Sequence, residues 1–125
     1  MSAITAEDLK VFVEQLKRLL ADRSSEADVR RLSETPEGYD PAVWKALADL
    51  GVTGLIIDED RGGFGGDAVA LELIMEEVGA ALLCAPLLSS AILAPALLQA
   101  LDDDAAKARL LPDLASGAKI ATVAI

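Results

Sequence analysis

Gly63-Phe64-Gly65-Gly66-Asp67-Ala68 fits G-x-G-x-x-G/A, a spacing that lets a pyrophosphate approach bare backbone at the start of a helix. That chemistry needs the first glycine at the end of a strand, and a second strand about 20 residues on that ends in an acidic residue. Here Asp58-Glu59-Asp60-Arg61 separates the apolar Leu55-Ile56-Ile57 from the glycines, and the downstream region reads as helices. Three consecutive carboxylates beside the loop also repel a pyrophosphate. A Walker loop fails as well, because no Lys-Ser/Thr pair follows Gly66. The expected role is architectural, with glycines supplying positive φ or close backbone approach.

The remaining candidates for chemistry are carboxylates and one thiol. Glu76-Glu77 and the Asp58–Asp60 cluster have the pairing that can split two pKa values into acid and base. Both read as solvated helix and loop charges, so no catalytic residue is assigned. The chain has no histidine, which removes His-based triads and His metal sites, and no metal site is expected. Cys84 stands alone in an apolar run, where inert packing is the expectation. A lone cysteine fits a reducing cytosol, and no signal peptide is apparent, so a cytoplasmic location is expected. The net charge of −10 argues against nucleic acid and anionic membranes as partners.

The elements that would position these groups follow from periodicity. At 125 residues the chain is expected to be one domain, with a core of Leu, Ala, Ile and Val. A first helix begins near Thr5, capped with Asp8, and presents Leu9, Phe12, Val13, Leu16, Leu19 and Leu20 on one face. A short second helix spans Ser25 to Leu32. Asp40-Pro41 starts a third, with the stripe Val43, Trp44, Leu47 and Leu50 and Gly51 as its left-handed stop. Asp67 caps a fourth, whose buried stripe is read as Leu71, Ile74, Met75, Val78 and Leu82. A fifth helix starts near Pro86, and a sixth runs from Asp103 or Asp104, bends at Pro112 and stops at Gly117. Residues 119–125 switch to period two, which predicts a strand. The uncharged run from Val78 to Leu101 is long enough to cross a bilayer, but Pro86, Pro95 and its acidic flanks argue against a membrane span.

The order of these elements resembles the N-terminal helical domain of the flavin-dependent acyl-CoA dehydrogenase family. Four landmarks carry the resemblance: Trp44 to Val52, Arg61-Gly62-Gly63-Phe64-Gly65, Glu76-Glu77-Val78-Gly79, and Lys107 through Leu111-Pro112 to Ser116-Gly117. Each is weak alone; their order and spacing make the match. The resemblance implies an all-α bundle of about six helices over residues 1–117, with 118–125 as the first strand of a middle β-domain. It implies an enzyme that oxidises the α,β bond of an acyl-CoA thioester. A carboxylate base takes the α-proton and FAD accepts the β-hydride. The base and most flavin contacts belong to later domains, so this piece is expected to be inactive alone, ending just before the family's Thr-Glu-Pro segment.

The resemblance also maps Pro86, Leu87, Ser90, Ala91 and Ala94 loosely onto the wall of the acyl-chain pocket, and Val123 and Ile125 onto the start of the flavin-contacting segment. Core packing is an equal expectation for the first five. Pro86-Leu87-Leu88 departs from the straight-chain members, where Gln-Thr-type residues are common, so chain length is not inferred. A homo- or hetero-oligomer is expected. The alternatives are a stand-alone helical interaction module, associating through the Val78–Leu101 face, and a non-catalytic subunit of a heteromeric dehydrogenase.

Overall fold

The computed structural model describes residues 4–125. Six α-helices run in chain order: α1 Ala6–Arg23, α2 Glu26–Ser33, α3 Pro41–Leu50, α4 Ala68–Ala80, α5 Ala94–Ala100 and α6 Asp104–Ala115. Short 3-10 turns occupy Val52–Gly54 and Glu59–Arg61, and a π-helical stretch, Leu88–Leu93, leads directly into α5.

Local chemistry sets most of the helix ends. Thr5 and Ser25 each make a reciprocal capping box, with Asp8 and Asp28 respectively. The Asp8 N–H donates to the Thr5 hydroxyl at 3.0 Å, while the Thr5 N–H donates back to the Asp8 carboxylate at 3.2 Å. Asp40, Asp67 and Asp103 accept N–H bonds at the starts of α3, α4 and α6. Gly51 ends α3 at φ 105°, a conformation that carries little cost only without a Cβ. Pro112 sits inside α6 and leaves the carbonyl of exposed Ala108 without its helical donor.

Two hydrophobic clusters lie side by side. The larger joins Phe12, Leu16 and Leu20 of α1 to Val43, Trp44 and Leu47 of α3 and to Ala70, Ile74 and Val78 of α4. The smaller gathers Ile57, Ala94, Leu111, Leu114 and Ala115. Burying each large aliphatic side chain contributes about 1.5–3 kcal/mol. The Lys17–Glu77 ion pair between α1 and α4 has Lys17 exposed and Glu77 half-buried and is worth about 1 kcal/mol, so apolar burial decides this packing.

Three expectations are corrected. Leu82 does not join the buried stripe of α4; it is 67% exposed at φ 51°, and Ala70 is buried instead. Leu82 is the left-handed residue of a Schellman stop: its N–H donates to Gly79 O at 3.1 Å, and that of Leu83 to Val78 O at 3.2 Å. The helix expected from Pro86 is π-helical over its first turns. Finally, no strand forms among the described residues, and 119–125 is irregular. Its alternation survives, since Ala121 and Val123 pack on the smaller cluster while Ile120, Thr122 and Ala124 face outward. A strand is defined by ladder bonds to a neighbour, and this segment has none. The uncharged run Val78–Leu101 breaks into the end of α4, a loop, the π stretch and α5, and no helix among the described residues is long and apolar enough to cross a membrane.

Leu82→Gly should raise the stability of the chain by about 1 kcal/mol, because the left-handed backbone strain disappears while little buried surface is lost. Urea denaturation reads this as a higher midpoint with an unchanged slope. The capping boxes give a pH signature. The Thr5 hydroxyl, then the Thr5 backbone N–H, holds the Asp8 carboxyl below its ordinary 3.8; Ser25 does the same for Asp28. Because the folded values are depressed, the caps contribute fully above 3.8 and are lost as pH falls through the folded values. A carboxyl-carbon NMR titration should place both midpoints below 3.8, and Thr5→Ala, which removes the hydroxyl but keeps the backbone N–H, should move Asp8 upward toward it.

Candidate functional site

The glycine loop is a sealed joint. Its N–H groups all point inward: Gly62 to Glu59 O at 3.1 Å, Gly63 to Asp58 O at 3.1 Å, and Phe64 to Gly54 O at 2.9 Å. Gly65 donates to Ile57 O at 2.8 Å and Gly66 to Leu55 O at 2.7 Å. A phosphate cradle needs these donors free, and here the backbone already satisfies them. Two glycines are required by contact alone. A Cβ on Gly63 would stand 2.0 Å from Ile57 O, and one on Gly66 would stand 2.8 Å from Leu55 O. The Phe64 ring covers Gly51 and meets Phe12 at 5.5 Å between centroids, tilted by 60°.

Gln99 of α5 closes the same joint from outside. Its amide nitrogen donates to Ile56 O at 2.9 Å, and its oxygen accepts the Asp58 N–H at 2.9 Å. The sequence reading did not single out Gln99, whose partners lie more than 40 residues away in the chain.

The carboxylates do not assemble an acid–base centre. Glu76 and Asp58 to Asp60 are exposed, and Glu77 pairs with Lys17. Cys84 is partly buried, its sulfur 3.9 Å from Val29 O, consistent with packing. Among the described residues no group of three or more Cys, Asp or Glu side chains is placed to hold a metal.

The five residues mapped to an acyl pocket line one face of one helix and its entry. Pro86 is half-buried, and its carbonyl accepts the Ser90 N–H at 3.1 Å. Leu87, Ser90, Ala91 and Ala94 are each at most 5% exposed. Leu87 and Ala91 belong to the larger cluster and Ala94 to the smaller, while Ser90 accepts the Ala121 N–H at 3.0 Å. The space beside Leu87 and Ala91 measures about 10 Å³, room for about one water. The opposite face carries Leu88, Leu93, Leu97 and Leu101, each between 45% and 57% exposed. Val123 rests half-buried on the smaller cluster, and Ile125 is fully exposed. The loop donors are taken by backbone carbonyls, and Val123 and Ile125 offer apolar surface.

A wider groove of about 570 Å³ lies between the start of α1 and the glycine joint, bordered by Leu9, Phe12, Leu55 and Phe64 with Asp8 and Glu59 at its rim. The sequence reading did not identify it, because its walls come from segments more than 40 residues apart.

These residues form a helical unit closed by a sealed glycine joint. Residues 6–118 match the acyl-CoA dehydrogenase N-terminal domain, and the chain belongs to the acyl-CoA dehydrogenase family. Acyl-CoA dehydrogenase IpdE2 of Mycolicibacterium smegmatis is 34% identical over 119 residues, covering 94% of this chain and 37% of that protein. Its counterpart of the same name in Mycobacterium tuberculosis is 32% identical over 120 residues, with 95% and 37% covered. The chain therefore spans just over a third of the length of the curated relatives it matches. In fold it is similar to the ChsE4-ChsE5 complex from Mycobacterium tuberculosis, with TM-score 0.84, 22% identity, and 99% of this chain and 34% of that one covered. A Tcur3481-Tcur3483 steroid ACAD variant gives TM-score 0.80 at 24% identity, covering 91% and 31%.

Gly63→Ala should cost about 2–4 kcal/mol, since its Cβ meets a backbone carbonyl that cannot move away. Gly62→Ala has open space and should cost only the left-handed backbone strain, about 1 kcal/mol. Urea denaturation of the pair checks this. Gly63 is not left-handed, so equal costs would mean that the Ile57 carbonyl yields and close approach does not select this glycine.

Proposed function

We propose that this chain is the N-terminal helical domain of an FAD-dependent acyl-CoA dehydrogenase that desaturates the α,β bond of an acyl-CoA thioester in the cytoplasm. The family match over residues 6–118 carries this reading. Residues 1–117 are the helical domain, and 118–125 begin the middle β-domain, where period two becomes a true strand once neighbours supply its ladder. FAD supplies the hydride acceptor and is held by the later domains, with Val123 and Ile125 giving apolar contact at most. The catalytic carboxylate also lies outside these residues, in keeping with the solvated carboxylates found here.

The helix carrying Pro86, Leu87, Ser90, Ala91 and Ala94 forms part of the acyl-pocket wall. Its small inner residues let it sit close to the body of the domain, and its outer leucines meet the remaining parts of the enzyme. A second reading is a subunit, catalytic or not, that pairs with a different chain. The exposed leucines favour it. A stand-alone interaction module is the remaining alternative.

The 125-residue chain alone should purify without stoichiometric FAD and should not reduce an artificial electron acceptor with any acyl-CoA. Co-expression with the downstream reading frame, expected to open with Thr-Glu-Pro and a β-domain, should yield a yellow protein bleached by an acyl-CoA. Stoichiometric flavin on the 125-residue chain, or a downstream frame without a β-domain, would refute the reading.

A further inference from the structure

Ser90 is the one hydroxyl on the inner face of the π stretch and α5, and it is 1% exposed. Alanine is the better helix former and fills the neighbouring inward positions 91 and 94. A buried hydroxyl costs about 1–3 kcal/mol unless it is hydrogen-bonded, so a serine here needs a partner. That partner is distant in sequence: the Ser90 Oγ accepts the Ala121 N–H at 3.0 Å, across 31 residues.

The segment it holds has few other ties. Lys119 is fixed to α6 through its N–H to Asp113 O at 3.2 Å and an exposed ion pair to the Asp113 carboxylate at 2.9 Å. Upstream, the Trp44 indole N–H donates to Gly117 O at 3.1 Å, and Thr53 donates to Ala115 O at 2.7 Å. Past Lys119, Ser90 makes the hydrogen bond that ties this backbone to the domain among the described residues, and Ala121 and Val123 settle onto the smaller cluster beside it.

We infer that Ser90 is a positioning residue, a latch that fixes residues 119–125 against the helix bearing Leu87, Ala91 and Ala94. On the reading that 118–125 leads into the flavin-carrying domain, the latch sets the spacing between acyl wall and flavin. A shift of this helix is passed directly to the chain entering the next domain. The latch itself is a property of these 125 residues and requires neither ligand.

Native-state amide exchange on the 125-residue chain tests it. In Ser90→Ala the Ala121 amide should exchange about five- to tenfold faster, while the slowest amides of α1 and α4 keep their rates. Ser90→Thr, which keeps the acceptor oxygen, should retain Ala121 protection relative to those same amides. A serine that only filled space would change all protected amides together, and that result overturns the latch. So does an Ala121 amide unprotected in the parent chain, or protection equal in the alanine and parent chains. Absence of flavin or activity in any longer form would overturn the functional reading and leave this exchange result standing.

Discussion

The fold depends on the backbone closing on itself between Gly54 and Gly66. Three hydrogen bonds, from Phe64, Gly65 and Gly66 to Gly54, Ile57 and Leu55, fold the chain so tightly that side chains at 63 and 66 would collide with carbonyls. The closure places Val52 and Leu55 in the larger cluster and Ile57, two residues on, in the smaller. One short segment thereby belongs to both cores. Its backbone groups are matched by the loop glycines and by Gln99 of α5, while the neighbouring Thr53 hydroxyl donates to the Ala115 carbonyl at the end of α6. Buried backbone of this kind is tolerable only when its donors and acceptors are matched so fully.

What was legible in the sequence follows from the range of the interactions. Capping acts between residues two to four apart, so Thr5, Ser25, Asp40, Asp67 and Gly51 declare the helix ends directly. Stripes such as Phe12, Leu16 and Leu20 are legible for the same reason, because one face of one helix meets the core. Leu82 was misread because periodicity continues past Gly79, whereas the helix stops through a Schellman pair that usually uses glycine. The closing strand was misread because β-formers at period two specify a preference, while the ladder needs a second strand. For the candidate site, the sequence indicates which helix carries Pro86 to Ala94. Burial, the Ser90–Ala121 bond and the Gln99 clamp all depend on contacts more than 30 residues apart, which no local pattern encodes.

Charge tells the same story about chemistry. A net charge of −10 sounds like a function, yet its carboxylates are dispersed over helix caps, exposed loops and short-range ion pairs. The shifts that are resolved belong to Asp8 and Asp28, two helix-capping residues whose hydroxyl partners stabilise the charged form. An acid–base catalyst needs the opposite environment, one that raises a carboxyl toward neutrality by burial or by a like charge. Acidity here serves the helix ends.

The π stretch before α5 has a local cause and a spatial consequence. Pro95 has no N–H, and its ring crowds the carbonyl of Ala91, four residues back. The chain widens just before it, and the Ala94 N–H reaches Ser89 O, five residues back, instead. In a regular α-helix a five-residue step turns a side chain about 140° past its starting face. The wider turn reduces that offset, so Leu88 stays on the side of Leu93, Leu97 and Leu101 despite the spacing of five, four and four. Ser90 and Ala91, and then Ala94 and Pro95, fall inward as adjacent pairs. The helix is thus two-faced, with small residues that let it press against both cores and large leucines left to water. Small residues alone would permit that approach equally well in a regular helix. The widened turn is what also brings Leu88 toward the side of the later exposed leucines.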